Sequence, residues 1–435
     1  MTTRSHGRRS GLRQKFLRSA EELGPGVITG AADDDPSGIA TYSQAGAQFG
    51  NGLLWTMVLT YPLMSAVQLI SAHIGRVTGA GLAKNMQRAF PGWIVTLLVG
   101  ILLAANVFNI GADLAAMAAA AELVIGGGGR ILLIGFALLC VVLQLFVPYR
   151  RYAQLLKWLT LSLFAYVGVL LFVHIDWRDA LSGLIWPRDL GRDAILTTVA
   201  VFGTTISPYL FFWQSSQEAE EVAVDQDAQP LRDSGRGARG QFRRMRLDTL
   251  VGMAFSNLIA LTIMLATAAT LHARGTTDLH TAAEAAEALR PVAGRFAFAL
   301  FALGIIGTGL LAVPVLAGSA AFAVSEVEGW KSGLEYRPEQ ALRFYSIITA
   351  ATLVGVLVDW SGLDPIKALF WSAVLNGVAA VPIMIAMMVL ASRRAIMGRF
   401  VERRGLLLFG WAATLVMGLA SAVLLGDLLG TALPG

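Results

Sequence analysis

Apolar runs long enough to cross about 30 Å of hydrocarbon recur along the whole of this chain. Lipid offers no water to backbone amides, so such segments are restricted to structures that satisfy their own hydrogen bonds. Charged residues make up only 14% of the 435 residues, against about 25% in soluble domains, while hydrophobic residues reach 55%. With a mean hydropathy of +0.62, the sequence predicts an all-α integral membrane protein built as one helical bundle.

The runs and their flanks predict about eleven spans, near residues 24–48, 52–75, 93–125, 130–148, 155–175, 194–215, 248–271, 295–324, 342–359, 365–391 and 405–430. A cytoplasmic N-terminus assigns 26 of the 34 Lys and Arg residues to the N-tail and to the loops after spans two, four, six, eight and ten. The excess of positive charge on that face predicts the N-terminus inside and the C-terminus outside, in the cell's inner (plasma) membrane. Arg4, Arg8, Arg9, Arg13, Lys15 and Arg18 are not followed by an apolar core and small-residue cleavage site, so no signal peptide is expected. A pI near 9.5 reflects this topology rather than nucleic-acid binding, because no aromatic platform interleaves the basic residues.

Cys140 is the only cysteine and lies in an apolar run, which excludes an internal disulfide and a thiolate cluster and leaves a small core residue. The polar segment 218–247 reads as a mobile cytoplasmic linker too short for a second core. Gly126 to Gly129 reads as a tight turn, since no Gly-Lys-Ser/Thr follows it and no strand precedes it.

Two spans are interrupted. The first carries Asp33-Asp34-Asp35-Pro36-Ser37-Gly38 in its middle, although an acidic side chain at the bilayer centre costs about 2.5–3.5 kcal/mol. Pro36 removes a backbone donor and disfavours helix at Asp35, so carbonyls near the midplane are freed. Five helices later, Phe202-Gly203-Thr204-Thr205-Ile206-Ser207-Pro208-Tyr209-Leu210 repeats the device. Breaks at corresponding places in two five-helix halves mark an inverted-repeat transporter with its site between them. The expected organisation is an N-tail over residues 1–22 and a single transmembrane domain over 23–435, with repeat one about 23–175, repeat two about 193–391 and an extra helix about 405–430.

At these residues the chain resembles the NRAMP family of divalent metal transporters, whose fold is that of LeuT with an eleventh helix. Asp35-Pro36-Ser37-Gly38 matches the family's Asp-Pro-Gly-Asn, with Gly38 in place of the liganding Asn. Gly203-Thr204-Thr205-Ile206-Ser207-Pro208-Tyr209 follows Gly-Ala-x-x-Met-Pro-His, with Ser207 replacing the Met and Tyr209 the His. Asp113-Leu114-Ala115-Ala116 keeps the Asp of Asp-Leu-Ala-Glu and loses the Glu. These departures resemble the NRAMP-related magnesium transporter branch, and they imply weakened transition-metal selectivity and proton coupling.

Ligand chemistry points the same way. A thioether suits softer metals, whereas carboxylate, hydroxyl and carbonyl oxygens suit magnesium and manganese, and magnesium commonly retains several waters. Asp35 is the expected direct ligand, with a carbonyl near Thr204, Ser207 on the ion or its water, and room left by Gly38. Asp34 and Asp33 would raise the local negative potential or accept from the outer shell, or else wall a hydrated vestibule. Asp113 and Tyr209 mark a proton or polar pathway.

Each residue also has a structural role to set beside this. Asp35 suits an N-cap, Asp113 a buried network with Asn106 and Asn109, and Tyr209 a hydrogen-bonded packing position. Gln44, Gln214, Asn257 and Asn376 suit helix–helix ties. Glu218, Glu220 and Glu221 suit a solvated face or a cation exit. His6, His174, His272 and His280 show no metal-ligand spacing.

The expected function is transport of a divalent cation, magnesium or manganese favoured, by alternating access and in the import direction. A proton-coupled manganese and iron importer of broad specificity keeps the same scaffold. An organic-solute carrier would have to hold its carboxylate against three adjacent aspartates, and a metal sensor would bind without flux. No enzyme is expected, since neither a His-Glu-x-x-His nor a Gly-x-Gly-Asp helix is present. No cofactor is expected; the metal is substrate, the partners are the ion and the lipid bilayer without nucleic acid, and the oligomeric state is unknown, a monomer being sufficient.

Overall fold

Both interrupted spans resolve into pairs of helices in a computed structural model that describes residues 25–147, 161–224, 229–234, 237–357, 362 and 364–432. The first pair is α1 (Pro25–Asp33) and α2 (Pro36–Phe49), and only Asp34 and Asp35 between them are non-helical. Then come α3 (Trp55–Thr78), α4 (Leu82–Ala89), α5 (Gly92–Ile125), α6 (Gly129–Phe146), α7 (Phe164–Phe172) and α8 (Trp177–Ile185). The second broken pair is α9 (Arg192–Thr205) and α10 (Pro208–Val224), separated by Ile206 and Ser207. The chain continues through α11 (Ala238–Thr270), α12 (Ala297–Glu328), α13 (Leu342–Gly355), α14 (Pro365–Ser392) and α15 (Arg404–Ala432). No strand occurs among the described residues.

Among the described residues, eight helical segments are long and apolar enough to cross a membrane, and two shorter apolar helices, Leu161–Phe172 and Leu342–Gly355, together with the α1–α2 pair, fall at the remaining expected spans. The expectations for residues 1–22, the first part of span five with Arg150, Arg151 and Lys157, the end of span nine, Arg236 and His6 lie outside the described residues.

Helix ends follow local chemistry. Pro36, Pro208 and Pro365 each open a helix, where a missing N–H costs nothing. Gly126 and Gly128 take φ of 90° and 95°, so the glycine run is the tight turn its composition predicts. α4 and α8 are among the helices that were not foreseen. α4 buries Leu82, Ala83 and Met86 while exposing Lys84, Gln87 and Arg88, and α8 starts on Asp176, whose carboxylate accepts from the backbone N–H of Arg178 and Asp179.

The linker expected over 218–247 is corrected by the structure. α10 runs on to Val224, Leu231–Ser234 forms a single turn, and α11 begins at Ala238. In α10 the charged residues extend the helix because Arg76, which partners Glu218 and Glu221, comes from elsewhere in the fold.

α1 and α2 lie against α11, α5 against α12, and α9 against α14. Some crossings are so close that backbone meets backbone: a β-carbon on Gly30 would stand 2.7 Å from Gly252 Cα, and one on Gly203 would stand 2.8 Å from Gly377 Cα. At the periphery, Ile131, Leu138 and Val142 of α6 and Leu408 and Leu415 of α15 are exposed apolar side chains, the composition of a lipid-facing surface.

Candidate metal site

Asp35 is the N-cap of α2. Its Oδ1 accepts from the Gly38 backbone N–H at 2.8 Å and from Ser37 Oγ at 2.6 Å. The structural reading of this side chain is therefore observed, but it occupies one oxygen. The other, Oδ2, meets Asn109 Nδ2 of α5 at 3.2 Å and Tyr209 OH of α10 at 3.3 Å, both long for charge-assisted bonds. Oδ2 thus faces the point where both breaks and α5 converge.

The two prolines explain which carbonyls gather there. In an unbroken helix the carbonyl of residue i accepts from the N–H of residue i+4. Pro36 and Pro208 have none, so the carbonyls of Ala32 and Thr204 lose their helical donors. Ala32 O lies 3.1 Å from Tyr209 OH, which stands between it and Asp35 Oδ2. Thr204 O accepts from Ser207 Oγ at 2.8 Å, and Gly203 O from the same hydroxyl at 2.6 Å. Thr204 Oγ1 stands 3.5 Å from Ser37 Oγ across the two breaks.

Gly38 faces Thr204: a β-carbon on it would lie 3.2 Å from Thr204 Oγ1 and 3.2 Å from the Tyr42 ring. A side chain there would fill the space between the broken helices, which the bare glycine leaves to smaller groups.

The neighbouring carboxylates are buried. Ser256 Oγ of α11 is in contact with Asp33 Oδ2 and 3.1 Å from Asp34 Oδ1; one hydroxyl has a single proton, so it serves these two carboxylates unequally. Asp33 Oδ1, Asp34 Oδ2 and both oxygens of Asp113 are buried with no hydrogen-bond partner among the described residues. No Lys, Arg or His among those residues lies within ion-pair distance of any of the four carboxylates. Buried carboxylate oxygens left this way are costly unless a cation or proton compensates them. No trio of His, Cys, Asp and Glu forms a ligand set among the described residues, so a cation here depends on carbonyl, hydroxyl and amide oxygens around one or two carboxylates.

Asp113 is not part of a network with both asparagines. Asn106 donates to Leu316 O and Ser319 Oγ, while Asn109 accepts from Ser372 Oγ at 2.7 Å and donates to Asp35. Tyr209 does have the hydrogen-bonded hydroxyl expected of a packing position. Gln44, Gln214 and Asn257 tie elements together, whereas neither polar atom of buried Asn376 has a partner among the described residues. Sequence reasoning missed Asn109, Ser256 and Ser372 as neighbours of the site. For Asn109 a signal existed, because a residue four before Asp113 shares its helix face.

Glu218, Glu220 and Glu221 are not the solvated face expected of them. Arg76 of α3 pairs with Glu218 at 2.7 Å and Glu221 at 2.6 Å, Gln214 donates to Glu218, and Glu220 accepts the backbone N–H of Glu335. Ser216 adds a bond to Glu326 of α12. At the opposite end, a cavity of about 270 Å³ opens between α2, α9 and α14, reaching Ala40, Gln44, Thr197 and Phe370.

An all-helical bundle with two broken spans meeting at an oxygen-lined midpoint defines a membrane protein of the LeuT type. Solved structures share this fold: an Eremococcus coleocola manganese transporter superposes with a TM-score of 0.74 at 17% identity, covering 97% of this chain and 88% of that one. Mhp1 in an inward-facing conformation gives 0.56 at 12% identity, covering 93% and 92%. The family model for natural resistance-associated macrophage protein-like sequences matches residues 26–427. Among curated relatives, a Klebsiella pneumoniae protein named divalent metal cation transporter MntH is 28% identical over 94% of this chain and 95% of its own length. A Mycobacterium leprae protein of the same name is 25% identical over 93% and 91%. The chain belongs to the Nramp family, whose members are transporters rather than enzymes.

Proposed function

We propose that this protein carries a divalent metal cation across the membrane, with the ion held between the two broken helices. The observation that carries the reading is the meeting of buried Asp35 Oδ2 with the Asn109 amide and with the Tyr209 hydroxyl, which also reaches the proline-freed carbonyl of Ala32, beside the two helix breaks. The relatives' printed names, which specify divalent metal cations, support it.

In this reading Asp35 Oδ2 binds the ion directly after releasing its two long hydrogen bonds. Ser207 and the Thr204 carbonyl contact the ion or its retained water, Gly38 leaves space for that water, and Asp34 lends negative potential from the second shell. With oxygen donors and no sulfur, magnesium or manganese is the preferred cargo. Asp113 and Tyr209 form the polar flank of the path. The ion enters by the cavity beside α2, α9 and α14, and the Arg76 cluster closes the basic face, which is cytoplasmic. Rocking of one half of the bundle against the other exchanges access. Import down the membrane potential gains about 4.6 kcal/mol per divalent ion at 100 mV, enough to drive entry without protons.

The test is flux in proteoliposomes, with a metal-sensitive dye and a pH dye inside. Asp35→Ala is expected to lower magnesium and manganese flux at least tenfold, with little acidification accompanying wild-type uptake. Wild-type flux in that variant would remove the site; stoichiometric acidification would convert the reading to proton symport.

A further inference from the structure

Another cavity, of about 490 Å³, lies on the basic face of the bundle, away from the broken helices. Five of its lining residues are arginines. Arg239, Arg243 and Arg246 follow a 4-then-3 spacing that puts them on one face of α11, and Arg399 and Arg403 come from the segment leading into α15. All five are exposed, and none lies within ion-pair distance of a carboxylate among the described residues. The one acidic lining residue, Glu402, is engaged by His73 of α3.

The floor differs from the rim. Phe242 packs against Phe400 with ring centroids 5.6 Å apart and against the His73 ring at 4.5 Å, and Leu69 and Leu406 extend the apolar surface. Such a site would hold an anion with an apolar continuation. Guanidinium groups match phosphate oxygens in paired hydrogen bonds, and clustered arginines at a membrane boundary attract anionic headgroups.

Position separates a lipid from a free phosphate. Immediately beyond the arginines, α11 exposes Leu247 and Val251, and α15 exposes Leu408 and Phe409, large apolar side chains of the kind that meet hydrocarbon in a spanning helix. The cavity therefore opens where headgroup meets acyl chain. We infer that it binds the phosphate headgroup of an anionic phospholipid, with the first acyl carbons on the Phe242–Phe400 floor.

The experiment uses the full chain, stripped of lipid in detergent. Dioctanoyl phosphatidylglycerol, dioctanoyl phosphatidylcholine and inorganic pyrophosphate are titrated separately, and binding is read by native mass spectrometry. Saturable binding of the phosphatidylglycerol alone is expected, weakened at least tenfold in Arg239→Gln/Arg243→Gln/Arg399→Gln. It should be unchanged in the control Arg244→Gln/Arg394→Gln/Arg404→Gln, which removes equal charge from arginines that do not line the cavity. A Lys version of the first triple, retaining charge and fold, should recover part of the affinity. Equal loss in both Gln triples, or no loss in the first, would overturn the inference. Pyrophosphate binding as tightly as the lipid would overturn the lipid assignment in favour of a soluble phosphate.

Discussion

Asn109 has a double attachment: its amide nitrogen reaches Asp35 and its amide oxygen takes the hydroxyl proton of Ser372 on α14. Ser372, whose hydroxyl also lies 2.7 Å from the Leu369 carbonyl, holds the other end of the amide while Asp35 takes its N–H. Groups that orient a metal-binding carboxylate typically change affinity by about 10- to 100-fold when removed. Asn109→Leu is accordingly expected to raise the KM for metal uptake by about that factor, with a smaller change in maximal rate, in the liposome assay; an unaltered KM would show that the amide is only structural. The two breaks were legible in the sequence, since a proline inside an apolar run announces a freed carbonyl four residues earlier, Ala32 before Pro36 and Thr204 before Pro208. Asn109, Ser256 and Ser372 were harder to see, since each sits in an unbroken helix and acquires its role only when that helix packs against α1 and α2.

Between elements, the crossings depend on side chains that are missing. A β-carbon on Gly203 would collide with the Ala373 carbonyl and crowd Gly377, so α9 can approach α14 only as it is. Forcing bulk into such a contact costs about 1–3 kcal/mol. Gly203→Val is expected to lower the thermal unfolding midpoint in detergent and to reduce flux, while Gly418→Ala, whose nearest neighbour to an added methyl is a Val381 side-chain carbon at an ordinary 3.6 Å, should change neither. Spans and breaks could be read from sequence because length, hydropathy and proline act locally. The helical run through Glu218 to Val224 could not, because its charges look solvent-bound until Arg76, 142 residues away from Glu218, is brought beside them.

At the scale of the whole molecule, the two ends are unlike. The basic end is tied by Arg76 to Glu218 and Glu221, by Ser216 to Glu326 and by Glu220 to the Glu335 backbone, joining α3, α10, α12 and the loop before α13. At the other end a cavity of about 270 Å³ opens between α2, α9 and α14, elements that include the second half of the first broken span and the first half of the second. Removing one partner of a buried pair costs about 3–5 kcal/mol. Arg76→Gln should therefore loosen the basic end, seen as amide exchange in residues 212–224 at least tenfold faster than in the native chain; unchanged exchange would mean that the ties are dispensable. His73, which escaped notice in the sequence as one more residue of an apolar helix, turns out to hold Glu402 on this same face.

The meeting of Gly30 with Gly252 bears on how the first half-helix can move. With no side chains between them, α1 is keyed into α11 and has little freedom to slide past it. α1 and α2 share no helical backbone across Asp34 and Asp35, so any tilt of one against the other concentrates its torsion in those two residues. The pivot and the proposed ligand are then the same stretch of chain, so a cation pinning the Asp35 carboxylate would also stiffen the joint on which its own release depends.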